Sequence, residues 1–452
     1  MRKFFPAVLL LFLFTLQLQA QKKLKPATVP AAGVSAATVE RVVRTLAADA
    51  MQGRAAAKPS GLQAAQFLAG EFKRLELQML PGSTSYEQTF PAYETRVAAL
   101  FVTVNNTPVA KDKALLVSSQ PHLNWTDTDE PATRVLVIGP QENPQQYLRD
   151  ILRPRENTVV LLDPAHTAAF KRVADYISHS SVRPEKTGNP FSSVVVLTPA
   201  LPAGKVTFKV AANTTVRTVE LRNIVGVLPG KDPAHATEQV VFSAHYDHIG
   251  FLSAVAGDTI ANGADDDASG TTAVVALAEY FKKKNDNART LIFVAFTAEE
   301  IGGFGSQYFS KQLDPAKIVA MFNIEMIGKL SKFGPNAAFV TGFERSDFGS
   351  LLQANLKGST FRIEPDPYPE QNLFYRSDNA TLARLGVPAH SISTDQIPTD
   401  KLYHSVDDEV ESLNLPNMTA VINGIARSAT GIVSGQQTPT RIAPEAAATP
   451  KP

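Results

Sequence analysis

From Arg222 onward, short apolar runs alternate with segments of amphipathic helical spacing, and this alternation constrains the fold more than any other feature of the sequence. The apolar runs are NIVGVLPG, QVVFSA, TLIFVAF, IVAMFNI, AAFVT and VPAHSIS, and the clearest helix spans Thr271 to Lys284. Strands that alternate with helices form α/β layers around a mostly parallel, twisted sheet. Because such sheets bind ligands beyond the carboxyl ends of their strands, we expect the functional site in the loops that follow these runs.

The rest of the 452-residue chain divides by composition. Helical spacing follows Ala37 and Gly61, whereas β-like runs such as RVLVIG and SVVVLT dominate from Tyr93 to Val216. The end of the chain is rich in Pro and Ala and has little to bury. The predicted segments are a signal peptide at 1–20, a flexible leader at 21–35, N-terminal helices that pack on the main domain at 36–92, an inserted β-rich domain at 93–216, the α/β domain at 217–434 and a disordered tail at 435–452.

The first twenty residues have the layout of a secretory signal peptide, because Arg2 and Lys3 precede an apolar run that ends in Ala20. No later window contains the roughly 20 consecutive apolar residues of a membrane-spanning helix. We therefore predict export to the periplasm or the medium of a bacterium, with no membrane span in the mature chain.

Charge and cysteine content exclude several classes of function. The chain has 44 Lys and Arg against 43 Asp and Glu, a formal charge of +1, so no broad field attracts nucleic acid or an anionic membrane. There is no cysteine, which removes disulfides, thiol catalysis and thiolate metal ligands. Specific local sites must carry the function, and the oligomeric state stays open.

Two polar clusters follow the first strands of the α/β region. His245 and Asp247 follow QVVFSA, and Asp247 is a candidate acceptor for the second ring N–H of a metal-bound histidine, although such a pair alone is more often a surface loop. Asp265, Asp266 and Asp267 lie in the next loop. Helix capping accounts for one or two of these acids but not for three. Since adjacent carboxylates repel one another, the triplet indicates a cation site.

Further candidates follow later strands. Glu299 and Glu300 follow TLIFVAF, and in such a pair one carboxylate can bind a metal while the other acts as a general base. Glu325 ends the run IVAMFNI, and His404 lies in a polar loop before the last helix. The other histidines lack such company and are predicted to be structural or exposed, with His248 as the first exception.

The joint pattern is two His, two Glu and one Asp on separate loops of one domain. This ligand set suits Zn²⁺, with Co²⁺ or Mn²⁺ as substitutes. Five ligands exceed one tetrahedral site, and two metal ions about 3.5 Å apart that share a bridging carboxylate account for all of them. The sequence therefore predicts a two-metal centre.

These motifs resemble, in order and placement, those of the M28 family of zinc peptidases. The resemblance covers about residues 222–435, and the inserted segment resembles, weakly, the protease-associated domains of some members. The matching segments are His245–Asp247, Gly263–Gly270, Thr297–Glu300, Asn323–Gly328 and Tyr403–His404, with weaker echoes at Met51–Arg54 and Ser85–Gln88.

The resemblance implies a division of the metal ligands. His245 and Glu325 would hold one zinc, Glu300 and His404 the other, and Asp266 would bridge them. Many members carry Asp at the position of Glu325, so the longer side chain here puts fine specificity in question.

The resemblance also implies roles for neighbouring residues. Glu299 would be the general base, and Asp267 would support the ligands after a cis peptide bond with Asp266. Tyr375 or Arg376, in a loop that matches the family less closely, would stabilise the oxyanion.

The implied activity is that of an exopeptidase that hydrolyses the N-terminal bond of peptides, using a water between the metals that a glutamate activates. Dipeptidase, carboxypeptidase and glutaminyl cyclase-like uses of the same scaffold remain alternatives. A noncatalytic binding protein is the alternative from another class, and its discriminating feature would be loss of ligands or base, which are all present here.

Overall fold

The computed structural model describes residues 33–129, 132–179, 181–199 and 204–443. The predicted signal peptide, the leader up to residue 32 and the last nine residues of the predicted tail lie outside these ranges. Within the described part of the chain, no helix is both long enough and apolar enough to cross a membrane.

The described chain folds into α/β layers. The strands are β1 (Glu87–Val104), β2 (Thr107–Pro108), β3 (Ala114–Val117), β4 (His122–Thr126), β5 (Arg134–Ile138), β6 (Thr158–Leu162), β7 (Val182–Arg183), β8 (Ser193–Leu197), β9 (Phe208–Leu228), β10 (Gln239–His245), β11 (Gly250–Val255), β12 (Asp258–Ala261), β13 (Thr290–Phe296), β14 (Ile318–Ile324), β15 (Ala337–Val340), β16 (Arg362–Pro365) and β17 (Ala389–Ser393). The α-helices are α1 (Ala36–Leu46), α2 (Pro59–Arg74), α3 (Leu148–Leu152), α4 (Thr167–His179), α5 (Gly270–Lys284), α6 (Phe304–Gln312), α7 (Phe348–Asn355), α8 (Asn379–Ala383), α9 (Leu415–Ser428) and α10 (Thr430–Val433).

The central sheet has the strand order β16-β15-β17-β14-β10-β13-β9-β1-β2. Its middle is parallel, since β10 pairs in parallel with both β13 and β14, and β14 pairs in parallel with β17. Strands β9 and β1 extend it antiparallel on one side. The predicted mostly parallel α/β sheet is therefore confirmed.

Apolar residues form the middle strands because both faces of the sheet are covered. Successive side chains of a strand point to opposite faces. Accordingly, Phe242 of β10 lies in one hydrophobic cluster and Val241 in another. Helix α5 packs on the first of these faces, and Phe281 of that helix lies 5.4 Å from Phe242 between ring centroids. Burial on both faces explains why these strands read as unbroken apolar runs.

A second sheet lies in the segment between β1 and β9. Its strand order is β3-β8-β6-β5, and the helices α3 and α4 belong to the same segment. Strands β1 and β9 pair along almost their whole length, from Glu87–Ile224 to Val104–Phe208. The division of the chain at residues 93 and 216 stays a prediction, and both positions fall within these two strands.

The described ends pack against the core, which corrects two predictions. Residues 435–443 are not a disordered tail, because Ile442 is only 3% exposed and Arg289 donates to the carbonyl of Gln437 at 2.5 Å. Val34, placed in the predicted flexible leader, is buried. The predictions failed because the few apolar residues of these segments are scattered among polar ones, so nothing in the sequence indicated that they would be buried.

Candidate metal centre

One histidine–carboxylate group forms at the ends of two parallel strands. His245 ends β10, and Glu325 follows β14 directly. The Nε2 atom of His245 lies 3.3 Å from Oε1 of Glu325 and 3.3 Å from Oδ1 of Asp266. One potential ligand atom from each of the three residues lies within 4.8 Å of the others.

A second group faces the other oxygen of the same aspartate. Nε2 of His404 lies 3.2 Å from Oδ2 of Asp266 and 3.0 Å from Oε2 of Glu300. All five predicted ligands therefore come together. Asp266 stands between them with one oxygen toward each histidine, which is the arrangement that a bridging carboxylate requires.

The turn before α5 holds Asp266 in place. Its peptide bond to Asp267 is cis, as predicted. The Oδ1 atom of Asp267 accepts the backbone N–H groups of Gly270 and Met326, each at 3.0 Å. Asp267 thereby ties the turn to the residue that follows Glu325, and a Cβ at position 270 would collide with the Asp267 carboxylate.

The partner of the His245 ring differs from the predicted one. Nδ1 of His245 lies 3.0 Å from the backbone carbonyl oxygen of Asp247, whereas the carboxylate Oδ1 is 3.9 Å away. That carboxylate instead accepts the backbone N–H of Glu299 at 3.1 Å. Burial raises the pKa of Asp247 to about 7, against the lowering effect of His245. Asp247 thus supports the ligand through its main chain and the neighbouring glutamate through its side chain.

His248 belongs to the cluster; among the histidines predicted to be structural or exposed, it is the one named as the first exception. Its Nδ1 atom lies 2.7 Å from Oε1 of Glu300 and 3.8 Å from Oδ2 of Asp266. The Nε2 atom is buried and has no hydrogen-bond partner among the described residues. The sequence signal that could have placed His248 in the cluster was its position three residues after His245.

Arg54, in one of the weaker N-terminal motif echoes, is fully buried beneath the site. Its guanidinium donates to the carbonyl oxygens of Tyr246 at 2.7 Å, Asn262 at 2.5 Å and Gly263 at 2.9 Å. A fourth bond goes to Leu46 of α1 at 2.8 Å. Arg54 therefore joins the loop after β10 to the turn that carries the aspartates.

The charges of the cluster compensate one another. Burial raises the pKa of Asp266, but hydrogen bonds from His245 and His404 outweigh it, and the pKa lies well below the usual value. For Glu300, burial raises the pKa, but the charges of His404 and His248 outweigh it and the pKa falls to about 2. Burial lowers the pKa of His404, whereas Glu300 and Asp266 raise it to about 11. Nitrogen and oxygen donors that need positive charge between them fit zinc.

Glu299 lies beside this cluster without belonging to either histidine group. Burial, together with the charges of Glu325 and Asp378, raises its pKa well above the usual value, and His245 acts in the opposite direction. A carboxylate with a raised pKa is suited to proton transfer near neutral pH. Its side chain lines a cavity of about 80 Å³ that also includes Asp266.

Of the two residues predicted to stabilise the oxyanion, only one lines the cavity. Arg376 is exposed and lines the cavity, as does Tyr403, whose ring stacks on His404 with centroids 3.9 Å apart. The hydroxyl of Tyr375 accepts a hydrogen bond from Arg345 at 3.2 Å, and Tyr375 is not among the cavity-lining residues. Of the two, Arg376 is the one with access to a ligand there.

With this geometry established, comparison with known proteins identifies the domain. Residues 223–429 match the sequence model described as Peptidase family M28. These residues form an M28 peptidase domain. The match includes all five predicted ligands and Glu299, and the segment with the second sheet lies outside it.

Curated relatives of this chain include Leucine aminopeptidase 1 of Penicillium rubens, 28% identical over 203 residues that make up 41% of this chain and 50% of the relative. Leucine aminopeptidase 1 of Leptosphaeria maculans is 27% identical over 212 residues, 43% of this chain and 52% of the relative. The chain thus spans about half the length of these relatives.

Two solved structures share the fold over a longer stretch. An aminopeptidase from Aneurinibacillus sp. strain AM-1 aligns with a TM-score of 0.56 and 17% identity, covering 91% of this chain and 96% of that one. A zinc aminopeptidase from Bacillus subtilis aligns with a TM-score of 0.58 and 14% identity, covering 90% of this chain and 97% of that one. The alignment therefore extends well beyond residues 223–429.

Proposed function

We propose that this protein, with its M28 peptidase domain, is a zinc-dependent aminopeptidase with two metal ions. His245 and Glu325 would hold one ion, Glu300 and His404 would hold the other, and Asp266 would contact both. The observation that carries the proposal is the position of Asp266, whose two carboxylate oxygens face different histidines at 3.3 and 3.2 Å. A lone structural aspartate has no need of two such partners.

Zinc, when bound, polarises a carbonyl oxygen and lowers the pKa of a coordinated water. Glu299 accepts the proton of the attacking water and later passes it to the amine that leaves. Its raised pKa supports the first transfer, because a carboxyl group whose pKa lies above the usual value takes up a proton more readily than an unperturbed one. Asp247 orients this base by accepting its backbone N–H.

Cleavage at the first peptide bond follows from the shape and charge of the cavity. Its volume of about 80 Å³ accommodates one side chain of a substrate, and its walls include Glu299 and Glu325. These carboxylates attract the free α-amino group of a peptide. The names of the curated relatives and of both structural neighbours support the same activity.

The test compares aminoacyl-nitroanilides with their N-acetylated counterparts, using the mature protein before and after chelation and after zinc is restored. We expect chelator-sensitive release from free-amine substrates only. Cleavage of the acetylated substrates, of C-terminal bonds or of dipeptides alone would replace the aminopeptidase assignment. Silence toward all substrates in the zinc-loaded protein would indicate a binding role.

A further inference from the structure

The cavity beside the metal centre has apolar walls and one carboxyl group that the proposed chemistry does not use. Met326, Phe339, Leu373 and Ile397 supply the apolar part of the lining, and Asp395 supplies the carboxyl group. Apolar walls suit the methylene stem of a long side chain, and a carboxylate suits a positively charged head.

The side chain of Asp395 is buried and incompletely bonded. Asp395 is 5% exposed, and its Oδ1 atom has no hydrogen-bond partner among the described residues. Its backbone N–H donates to Oγ of Ser393 at 3.1 Å, which fixes the residue just beyond the end of β17. Because buried polar atoms are normally paired, the unpaired Oδ1 of a residue that lines a cavity points to a ligand.

The described charged residues near Asp395 do not provide it with a salt bridge. Asp265 and Asp400 each have a carboxylate oxygen within 4.8 Å of one on Asp395. The ammonium of Lys329 lies 2.6 Å from Asp400, 3.3 Å from Asp265 and 3.8 Å from Asp408. One lysine therefore serves three other carboxyl groups.

The remaining cation at the cavity, Arg376, is exposed. Burial, the charge of Asp265, and a hydrogen bond with Asp400 together with its charge raise the pKa of Asp395 to about 8, although Lys329 lowers it. A cationic group entering the cavity would favour the ionised form of Asp395 and pair with it.

We propose that Asp395 selects substrates with a basic N-terminal residue, lysine foremost, by accepting, at its carboxyl group, a hydrogen bond from the side-chain ammonium group. This inference rests on the proposed aminopeptidase function, since it assigns the cavity to the first residue of the peptide. A cavity of about 80 Å³ has room for the five non-hydrogen atoms of a lysine side chain, at about 10–15 Å³ for each water-sized group. A leucine side chain also fits by volume, so the preference for lysine must come from the charge of its ammonium group.

The test uses lysyl- and norleucyl-nitroanilide, which share a four-carbon stem and differ at the ammonium group. We expect wild type to prefer the lysyl substrate by about 10- to 100-fold in kcat/KM, as befits a hydrogen bond between charged groups. Asp395→Asn should remove most of that preference by raising KM for the lysyl substrate, while norleucyl hydrolysis changes little. Asp407→Asn, which removes an exposed carboxylate from the nearby loop, is the matched control and should keep the preference.

Equal use of both substrates by wild type, or a lysyl preference that survives Asp395→Asn, would overturn the assignment. Calorimetry of free lysine and free norleucine on the zinc-loaded wild-type protein gives a readout that needs neither turnover nor the variant. Tighter binding of lysine supports the inference, and equal or weaker binding refutes it. Failure of the proposed function looks different, because no free-amine substrate of any kind would then be cleaved.

Discussion

The two halves of the proposed metal centre are built from different parts of the fold. We call His245 and Glu325 the buried half-site, and Glu300, His404 and His248 the loop half-site. In the buried half-site the histidine ends a central strand and its side chain is 1% exposed, whereas the side chain of His404 is 37% exposed. His245 therefore obtains its rigidity from the sheet, whereas His404 must obtain it from loop contacts.

Those loop contacts are visible on both sides of His404. Asp408 accepts the backbone N–H groups of Asp265 and Asp266, at 3.1 and 3.0 Å. Asp400, on the other side, binds Lys329 at 2.6 Å. The loop of His404 is therefore fastened to the bridging turn and to the residues after β14, so that the order of the loop half-site depends on polar contacts.

Substitution of Glu299 should have the largest effect and should not distinguish the half-sites. Glu299→Gln removes the proposed general base, and we expect kcat to fall by about 10²- to 10⁴-fold. Zinc content, measured by elemental analysis, should stay at the wild-type value. Loss of zinc together with activity would instead make Glu299 a ligand and break the division into two groups.

Arg54→Met tests the support of the buried half-site. The change leaves four buried carbonyl oxygens without their donor, so we expect the free energy of unfolding to fall by about 2–5 kcal/mol. Denaturant unfolding of the zinc-free protein measures this directly. Arg362→Met, at an exposed ion pair, is the control and should unfold almost like wild type. An equally small effect at Arg54 would contradict a supporting role for its four hydrogen bonds.

Removal of one histidine at a time should separate the two ions. His245→Ala and His404→Ala should each lower zinc affinity at one half-site by more than the roughly 10- to 100-fold typical of an outer-shell partner. Each variant should keep close to one tightly bound zinc, as measured by competition with a chromogenic chelator. Simultaneous loss of both ions from His404→Ala would show that the half-sites are not separable.

His248→Ala should have the smallest effect and should act on the loop half-site alone. His248 contacts Glu300 at 2.7 Å, and loss of such a partner lowers metal affinity by about 10- to 100-fold. Chelator competition should therefore show one weakened zinc and one of wild-type affinity. Weaker binding of the zinc at His245 as well would show that the two half-sites are coupled.

The buried half-site and the fold were the parts most open to prediction from sequence. His245 and Glu325 follow apolar runs that read directly as parallel strands, and parallel strands bring their carboxyl ends to one edge. His404 follows no strand, so its pattern alone was weak and the family resemblance supplied its role. His248 and Arg54 depend on contacts between segments far apart in the sequence, which no local pattern encodes. The same limit applies to Asp395, whose neighbours come from three loops.

Zinc titration of the metal-free protein, with hydrolysis of leucyl-nitroanilide followed at each step, tests the two-metal account most directly. The account predicts binding of two equivalents per chain, full activity only after the second, and no hydrolysis of the N-acetylated substrate at any point. Saturation of both binding and activity at one equivalent, with no further uptake, would contradict it.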